Sequence, residues 1–210
     1  MLITVHINPK LPHQIEHGEW FKAGFRRHGI KCDVTHDRTA PSDVHIVSGP
    51  YYAKNVWLNH PRVILLDRCY YKGDPEHVSL GWMDSNGDRV FHKGFGRKPP
   101  KIAHKTSGNG TIFIADYDGP VDNSADYVRL HPAAKNYNES LIEALRPFKK
   151  AIGYKTTALV TAALEGLEIE CRHKNHILNQ KNWLELLPYA DWHGNEIANG
   201  LAWEHLRQCL

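Results

Sequence analysis

Short apolar runs alternate with amphipathic stretches along the first half of this chain. Residues 2–7 (LITVHI) are apolar and β-branched, the composition of a buried strand. Asn8-Pro9-Lys10-Leu11-Pro12 breaks that run. Over residues 14–28, Ile15, Trp20, Phe21 and Phe25 recur at helical spacing against Glu16, Lys22, Arg26 and Arg27, and Gly29 supplies a stop. Residues 30–35, 43–48 and 62–67 predict three further strands, the last (RVILLD) the most apolar. Residues 78–83 and 88–92 predict a strand pair across Ser85-Asn86-Gly87-Asp88, where Asn-Gly signals a hairpin. The order of strands and helix predicts a mostly parallel α/β sheet.

The pattern pauses at residues 93–110, KGFGRKPPKIAHKTSGNG. This stretch holds five basic residues, two prolines, four glycines and no acid, which marks it as the domain boundary. The α/β rhythm then restarts, with strands at 111–115, 126–130, 149–153 and 167–171 and helices at 138–147 and 156–165. The C-terminal end reads as helical around 181–187 and 194–208. The expected division is an N-terminal α/β domain over 1–105 and a C-terminal one over 106–210.

Composition narrows the picture. A chain of 210 residues accommodates one large domain or two compact ones, and 41% hydrophobic residues suffice for packed cores. No apolar run reaches the ~18–20 residues that cross a bilayer. The start, MLITVHINPK, has neither a basic n-region nor a long apolar stretch, so a cytoplasmic placement is expected. The net charge is only +3, so a polyanionic partner would have to meet a local patch such as the basic stretch at 93–110. The four cysteines form no CxxC pair and read as buried thiols. Cys171-Arg172-His173, with His176 three residues on, has metal-ligand types but no fourth ligand nearby. The sequence therefore requires no metal, although a divalent ion is compatible with it. Nothing in it sets an oligomeric state.

In doubly wound sheets, ligands gather at the C-terminal ends of the strands. The strand at 149–153 runs through Gly153-Tyr154-Lys155-Thr156-Thr157 into a helix, which reads either as a diphosphate cradle or as a simple Thr156 cap. The strand at 126–130 ends in Arg129-Leu130-His131-Pro132. In the first half, Ser48-Gly49-Pro50-Tyr51-Tyr52 and Asp67-Arg68-Cys69-Tyr70-Tyr71 follow strands, and tyrosines beside polar residues suit stacking on a sugar or a base. Packing of a domain interface is the structural alternative for them. A group that takes a proton from a hydroxyl is sought among carboxylates and histidines. Asp67 is the first choice, Asp116 and Asp118 the second, and His6 and His13, flanking the first β–α loop, can also serve. Among the 15 histidines, His131 is the other with a position that suggests a role.

The run from Arg129-x-His131-Pro132 to Ala151-Ile152-Gly153-Tyr154-Lys155-Thr156-Thr157-Ala158 and on to Glu165-Gly166-Leu167 resembles the nucleotide-sugar half of GT-B glycosyltransferases, most closely the capsule and Kdo-transferase type. The tail, from Trp183-Leu184 through Trp192, Glu196-Ile197 and Ala202-Trp203, resembles the C-terminal end of small phage-encoded proteins of this kind. The resemblance implies two Rossmann-like domains with a cleft between them and a UDP-sugar donor. It implies donor contacts from Arg129, His131, Lys155, Thr156 and Thr157. Where the family carries a helix Glu for the ribose this chain has Thr161, and Glu165 lies one turn further along as the substitute. Phage enzymes of this type glycosylate 5-hydroxymethylcytosine. That implies a modified-DNA acceptor, inversion with an Asp base, and acceptor contacts from Ser48, Tyr51, Tyr52, Arg68, Tyr70, Arg97, Lys98 and Lys101. The alternatives are a capsule or lipopolysaccharide-type transferase, or a non-catalytic phage protein that binds nucleotide sugars or nucleic acid.

Overall fold

β1 (Leu2–His6) pairs in parallel with β2 (Lys31–Thr35) on one side and β3 (Val44–Ser48) on the other. The computed structural model describes residues 1–49, 56, 60–71, 75–104, 107–117, 119–132, 140–174 and 176–210. Within β1 both faces are covered, as in a central parallel strand: Ile3, Thr4, Val5 and His6 are all buried. α1 (Pro12–Arg27) begins with proline in its first turn, buries Phe21 and Phe25, and is followed by Gly29 in the left-handed region at φ +66. The sheet continues through β4 (Val63–Arg68), parallel to β3, and β5 (His77–Met83), antiparallel to β4. β6 (Arg89–Val90) pairs with β5 across the turn at 84–88, where the carboxylate of Asp84 accepts the backbone N–H groups of Asn86 and Asp88.

The tail departs from the sequence expectation. Between the two helical stretches expected there, Asp191–His193 forms an additional strand, β11, antiparallel to β5, so the sheet order is β11-β5-β4-β3-β1-β2. α5 (Gly194–Ala198) and α6 (Leu201–Leu206) follow it. α5 lies so near α1 that a Cβ on Gly24 would sit 2.1 Å from the Ile197 carbonyl oxygen. Trp192, Ile197, Ala202, Trp203 and Leu206 join Ile3, Phe25, Ile64 and Leu80 in one core. The first compact unit is therefore Met1–Arg97 with Pro188–Leu210, and the second is Lys98–Leu187. The boundary drawn from composition, 105/106, falls inside the second unit, and the tail belongs with the first. Burial of Trp192 and Trp203 against strands far earlier in the chain decides this, and local sequence carries no sign of it.

The second unit is a four-stranded, wholly parallel sheet of order β10-β9-β7-β8. Its strands are β7 (Thr111–Ile114), β8 (Tyr127–Arg129), β9 (Lys150–Gly153) and β10 (Glu168–Cys171). α2 (Leu141–Leu145) and α3 (Ala158–Leu164) pack on it, with Leu145, Leu159 and Ala162 in a core with Ile112 and Ile114. α4 (Trp183–Ala190) spans the boundary between the units. The chain is thus mixed α/β, with one mixed and one parallel sheet. Among the described residues no helix is long and apolar enough to cross a membrane.

Candidate functional site

The first unit carries a topological switch point. β1 connects to β2 on one side while β3 lies on the other, so the loops leaving β1 and β3 diverge and leave a crevice at their C-terminal ends. A cavity of about 330 Å³ occupies that place. The loop Ile7, Asn8, Pro9 and Lys10 lines one side of it, with Gln14 from the first turn of α1. His36 and Arg38 reach it from the loop after β2, and Val47, Ser48 and Val56 close the other side. The β1–α1 loop is held by its own side chains. The Asn8 N–H donates to Gln14 Oε1 at 2.7 Å, and Asn8 Oδ1 accepts the Lys10 N–H at 3.0 Å. Asp37, between the two basic residues, accepts the Thr39 N–H and hydroxyl at 2.8 and 2.7 Å, and those bonds lower its pKa. No carboxylate lines the cavity among the described residues.

Beneath the cavity lies a buried histidine pair. Nε2 of His6 and Nδ1 of His45 are 2.9 Å apart, their rings stack at 5.2 Å, and His60 covers His45 at 4.0 Å. His6 is 6% exposed and His45 1%. Burial drives the His45 pKa down to about 4, with the neighbouring His60 and His6 adding to the shift. Burial lowers His6 as well, and the Asp37 backbone offsets part of that without reaching hydrogen-bond geometry. Two neutral rings share one proton, so one donates and the other accepts. Nδ1 of His6 and Nε2 of His45 have no hydrogen-bond partner among the described residues. Whichever ring donates, one of these outer nitrogens carries a lone pair and the other an N–H. His6 lines the cavity, while its Nε2 is bonded to His45 and its Nδ1 is shielded from solvent. His13, the other histidine of the β1–α1 region, is exposed and is not among the lining residues; it packs edge-on against His17, whose own pKa burial lowers to about 4.

Other candidates in the first unit have structural duties. Asp67 ends β4 opposite Ser79, and its Oδ1 accepts the Arg68 N–H at 2.8 Å; neither residue lines the cavity, and Arg68 is exposed. Tyr70 does not present a stacking face. It is buried, meets Phe91 edge-on at 5.6 Å, and its hydroxyl is bonded by Arg89. Burial pushes its phenol pKa up, and that of Tyr71 up to about 12. The backbone N–H groups of both donate to Asp191 at 2.8–3.0 Å. Arg97, expected at an acceptor, is a clamp instead. Its guanidinium donates to Glu196 and to the carbonyls of Pro188 and Asp191 and lies 3.8 Å over the Trp192 ring. Four groups thus draw it inward. Lys98 and Lys101 are exposed. Tyr51, Tyr52 and Asp118 lie outside the described residues.

In the second unit the switch point falls between β7, which leads to β8, and β9 on its other side. Asp116, just beyond β7, reaches the loop after β9, where its Oδ2 accepts the Lys155 N–H at 3.0 Å. That carboxylate occupies a donor which a diphosphate would otherwise use. Thr156 Oγ1 accepts the Ala158 N–H at 3.3 Å, the capping role, while Thr157 stands at the N-cap position without a side-chain bond. His131 meets the exposed ring of Tyr117 edge-on at 5.4 Å. Arg129 is 4% exposed, so it sits in the interior rather than on the open rim. Glu165 is the C-cap of α3, about 12 Å along the helix axis from Thr157 at 1.5 Å per residue, at the end away from the cradle. Asp116, Lys155, Thr156 and Thr157 come together, and Glu165 does not. Cys171 Sγ contacts the Tyr154 and His173 carbonyls, and His176 Nδ1 accepts the Leu178 N–H, so these ligand types are turned to backbone.

Lys10, His36, Arg38, His45 and His60 were not singled out from the sequence. For Lys10, His36 and Arg38 the signal was available, since the rule for strand ends, applied to β1 and β2 as it was to β9, points to their loops; His45, near the start of β3, and His60, before β4, lie outside that rule. The His6–His45 bond joins residues 39 apart and has no local sign. No family model, no curated protein and no solved structure matches this chain.

Proposed function

We propose that the protein is a glycosyltransferase that moves a sugar from a UDP-sugar to a hydroxyl, with the hydroxymethyl group of 5-hydroxymethylcytosine in phage DNA as the acceptor. The observation that supports this reading is the cavity at the first switch point, lined by the buried His6 with Lys10, His36 and Arg38. The first unit is assigned to the acceptor and the second, with Lys155, Thr156, Thr157 and His131, to the donor. A GT-B-like arrangement of the two units, a host-cytoplasmic location and DNA as partner are part of the same proposal. In the proposed reaction the His6 ring turns to bring Nδ1 into the cavity and accepts the proton of the acceptor hydroxyl. The freed oxygen forms a bond to the anomeric carbon, and the bond from that carbon to the diphosphate breaks, its electron pair leaving with UDP. Cationic groups of the second unit steady the departing charge. His6 replaces Asp67 as the base because Asp67 does not line the cavity.

Incubation with labelled UDP-glucose and DNA with or without hydroxymethylcytosine tests the proposal. Label is expected in the hydroxymethylated DNA alone. Absence of transfer from any common UDP-sugar overturns the reading, and transfer to a capsule or lipid-linked saccharide instead of DNA moves it to the other acceptor class.

A further inference from the structure

The first-unit cavity combines three features that a general acceptor pocket does not need. Its rim is cationic, from Lys10, His36 and Arg38, and no described carboxylate lines it. Its walls set the apolar Ile7, Pro9, Val47 and Val56 beside Asn8, Gln14 and Ser48, and Asn8 and Gln14 are already bonded within the β1–α1 loop. Its volume of about 330 Å³ lies at the small end of the ~300–1,000 Å³ range of small-molecule sites, enough for one ring with its attached anion. His6, more than nine-tenths buried, forms part of its lining.

We propose that this cavity is a mononucleotide site: the phosphate of one nucleotide binds at the rim of Lys10, His36 and Arg38, and its base enters between the aliphatic walls toward His6. The positive charge of Lys10 and Arg38 at the rim favours an anionic group there. The apolar walls favour a flat ring over a bare sugar phosphate. The volume suits one nucleotide drawn out of a strand rather than a stacked duplex. The binding site stands on the cavity alone, and only its role as acceptor site rests on the glycosyltransferase reading.

Equilibrium titration of the full chain with dCMP, deoxycytidine and glucose 1-phosphate, with the histidine ring resonances as reporters, tests this. Saturable binding of dCMP is expected, with the His6 and His45 ring signals shifting. Deoxycytidine, lacking the anion, and glucose 1-phosphate, lacking the base, are each expected to bind about tenfold or more weakly, the scale of one charge-assisted contact. Arg38→Ala and Lys10→Ala, both exposed rim positions, should each weaken dCMP about five- to tenfold with unchanged circular dichroism. Glucose 1-phosphate or deoxycytidine binding as tightly as dCMP, no saturable dCMP binding, or indifference to both substitutions overturns the inference. Nucleotide binding without sugar transfer keeps this site and removes the glycosyltransferase reading. Sugar transfer without dCMP binding does the reverse.

Discussion

The two units solve the same topological problem differently. Each has a parallel switch point with polar residues at the C-terminal strand ends. In the first, the polar groups lie inside the protein: His6 and His45 are walled by strands on both sides, so desolvation keeps them neutral and leaves two nitrogens without a hydrogen-bond partner among the described residues. In the second, the polar groups are half-buried or exposed and already bonded to nearby backbone, as Asp116 is to Lys155 and Thr156 to Ala158. The difference follows from sheet size. A central strand of the broader sheet has neighbours and layers enough to bury its last residue, whereas four short strands leave their ends open to water. Burial, rather than residue type, separates a poised group from one whose hydrogen bonds are already made.

The largest expected effect tests whether the units hold separate cores. Phe25→Ala should destabilise the first unit by about 3–5 kcal/mol, the range for an aromatic removed from a core. Hydrogen exchange should then rise in β1, β3 and β4 while β7 and β9 keep their protection; equal loss in both units would show that they unfold together. Removing the clamp by Arg97→Ala should cost about 2–3 kcal/mol, because Glu196 and two carbonyls lose their partner in a half-buried place. Thermal unfolding would measure it, and a change below about 0.5 kcal/mol, the size of an ordinary surface substitution, would make the clamp ornamental.

The pH dependence is smaller and its sign is set by the histidines. His17 and His45 have folded pKa values near 4, below the ordinary 6.5. The unfolded chain therefore binds more protons between those values, and stability should fall as pH drops from about 6.5 to 4. Asp191 acts oppositely. Its pKa is raised to about 6 by burial, so its protonation favours the folded state between about 6 and 3.8. His45→Gln should flatten the acid loss and Asp191→Asn should steepen it, as read from urea unfolding at pH 7 and pH 5. Opposite outcomes would reverse the assignment. The smallest expected effect on stability is that of Asp116→Ala, about 0.5–1 kcal/mol for one exposed hydrogen bond, and it should free the Lys155 N–H. Tighter UDP binding by this variant would support the second unit as the donor side, and unchanged binding would count against it.

Much of the fold was legible in the chain. The apolar runs at 2–7, 43–48, 62–67 and 111–115 became strands close to their expected bounds, and α1 starts at Pro12, two residues before the helical pattern does. Asp191–His193 was not legible, since three residues with one tryptophan show no period. The site divided in the same way. Lys155, Thr156 and Thr157 could be placed at a strand end from local order. That Tyr70 faces inward, and that Arg97 is tied down, depended on partners far along the chain.

By itself the sequence determined the class of each element, the α/β alternation and the loops that could carry chemistry, because periodicity and turn residues act over a few neighbouring positions. Tertiary structure alone decided that the tail belongs with the first unit, that His6 rather than His13 lines a cavity, and that Asp191 holds the Tyr70–Tyr71 backbone across 121 residues. Burial and pairing are properties of residues brought together from distant parts of the chain, and they set which of 15 chemically identical imidazoles stays neutral and available.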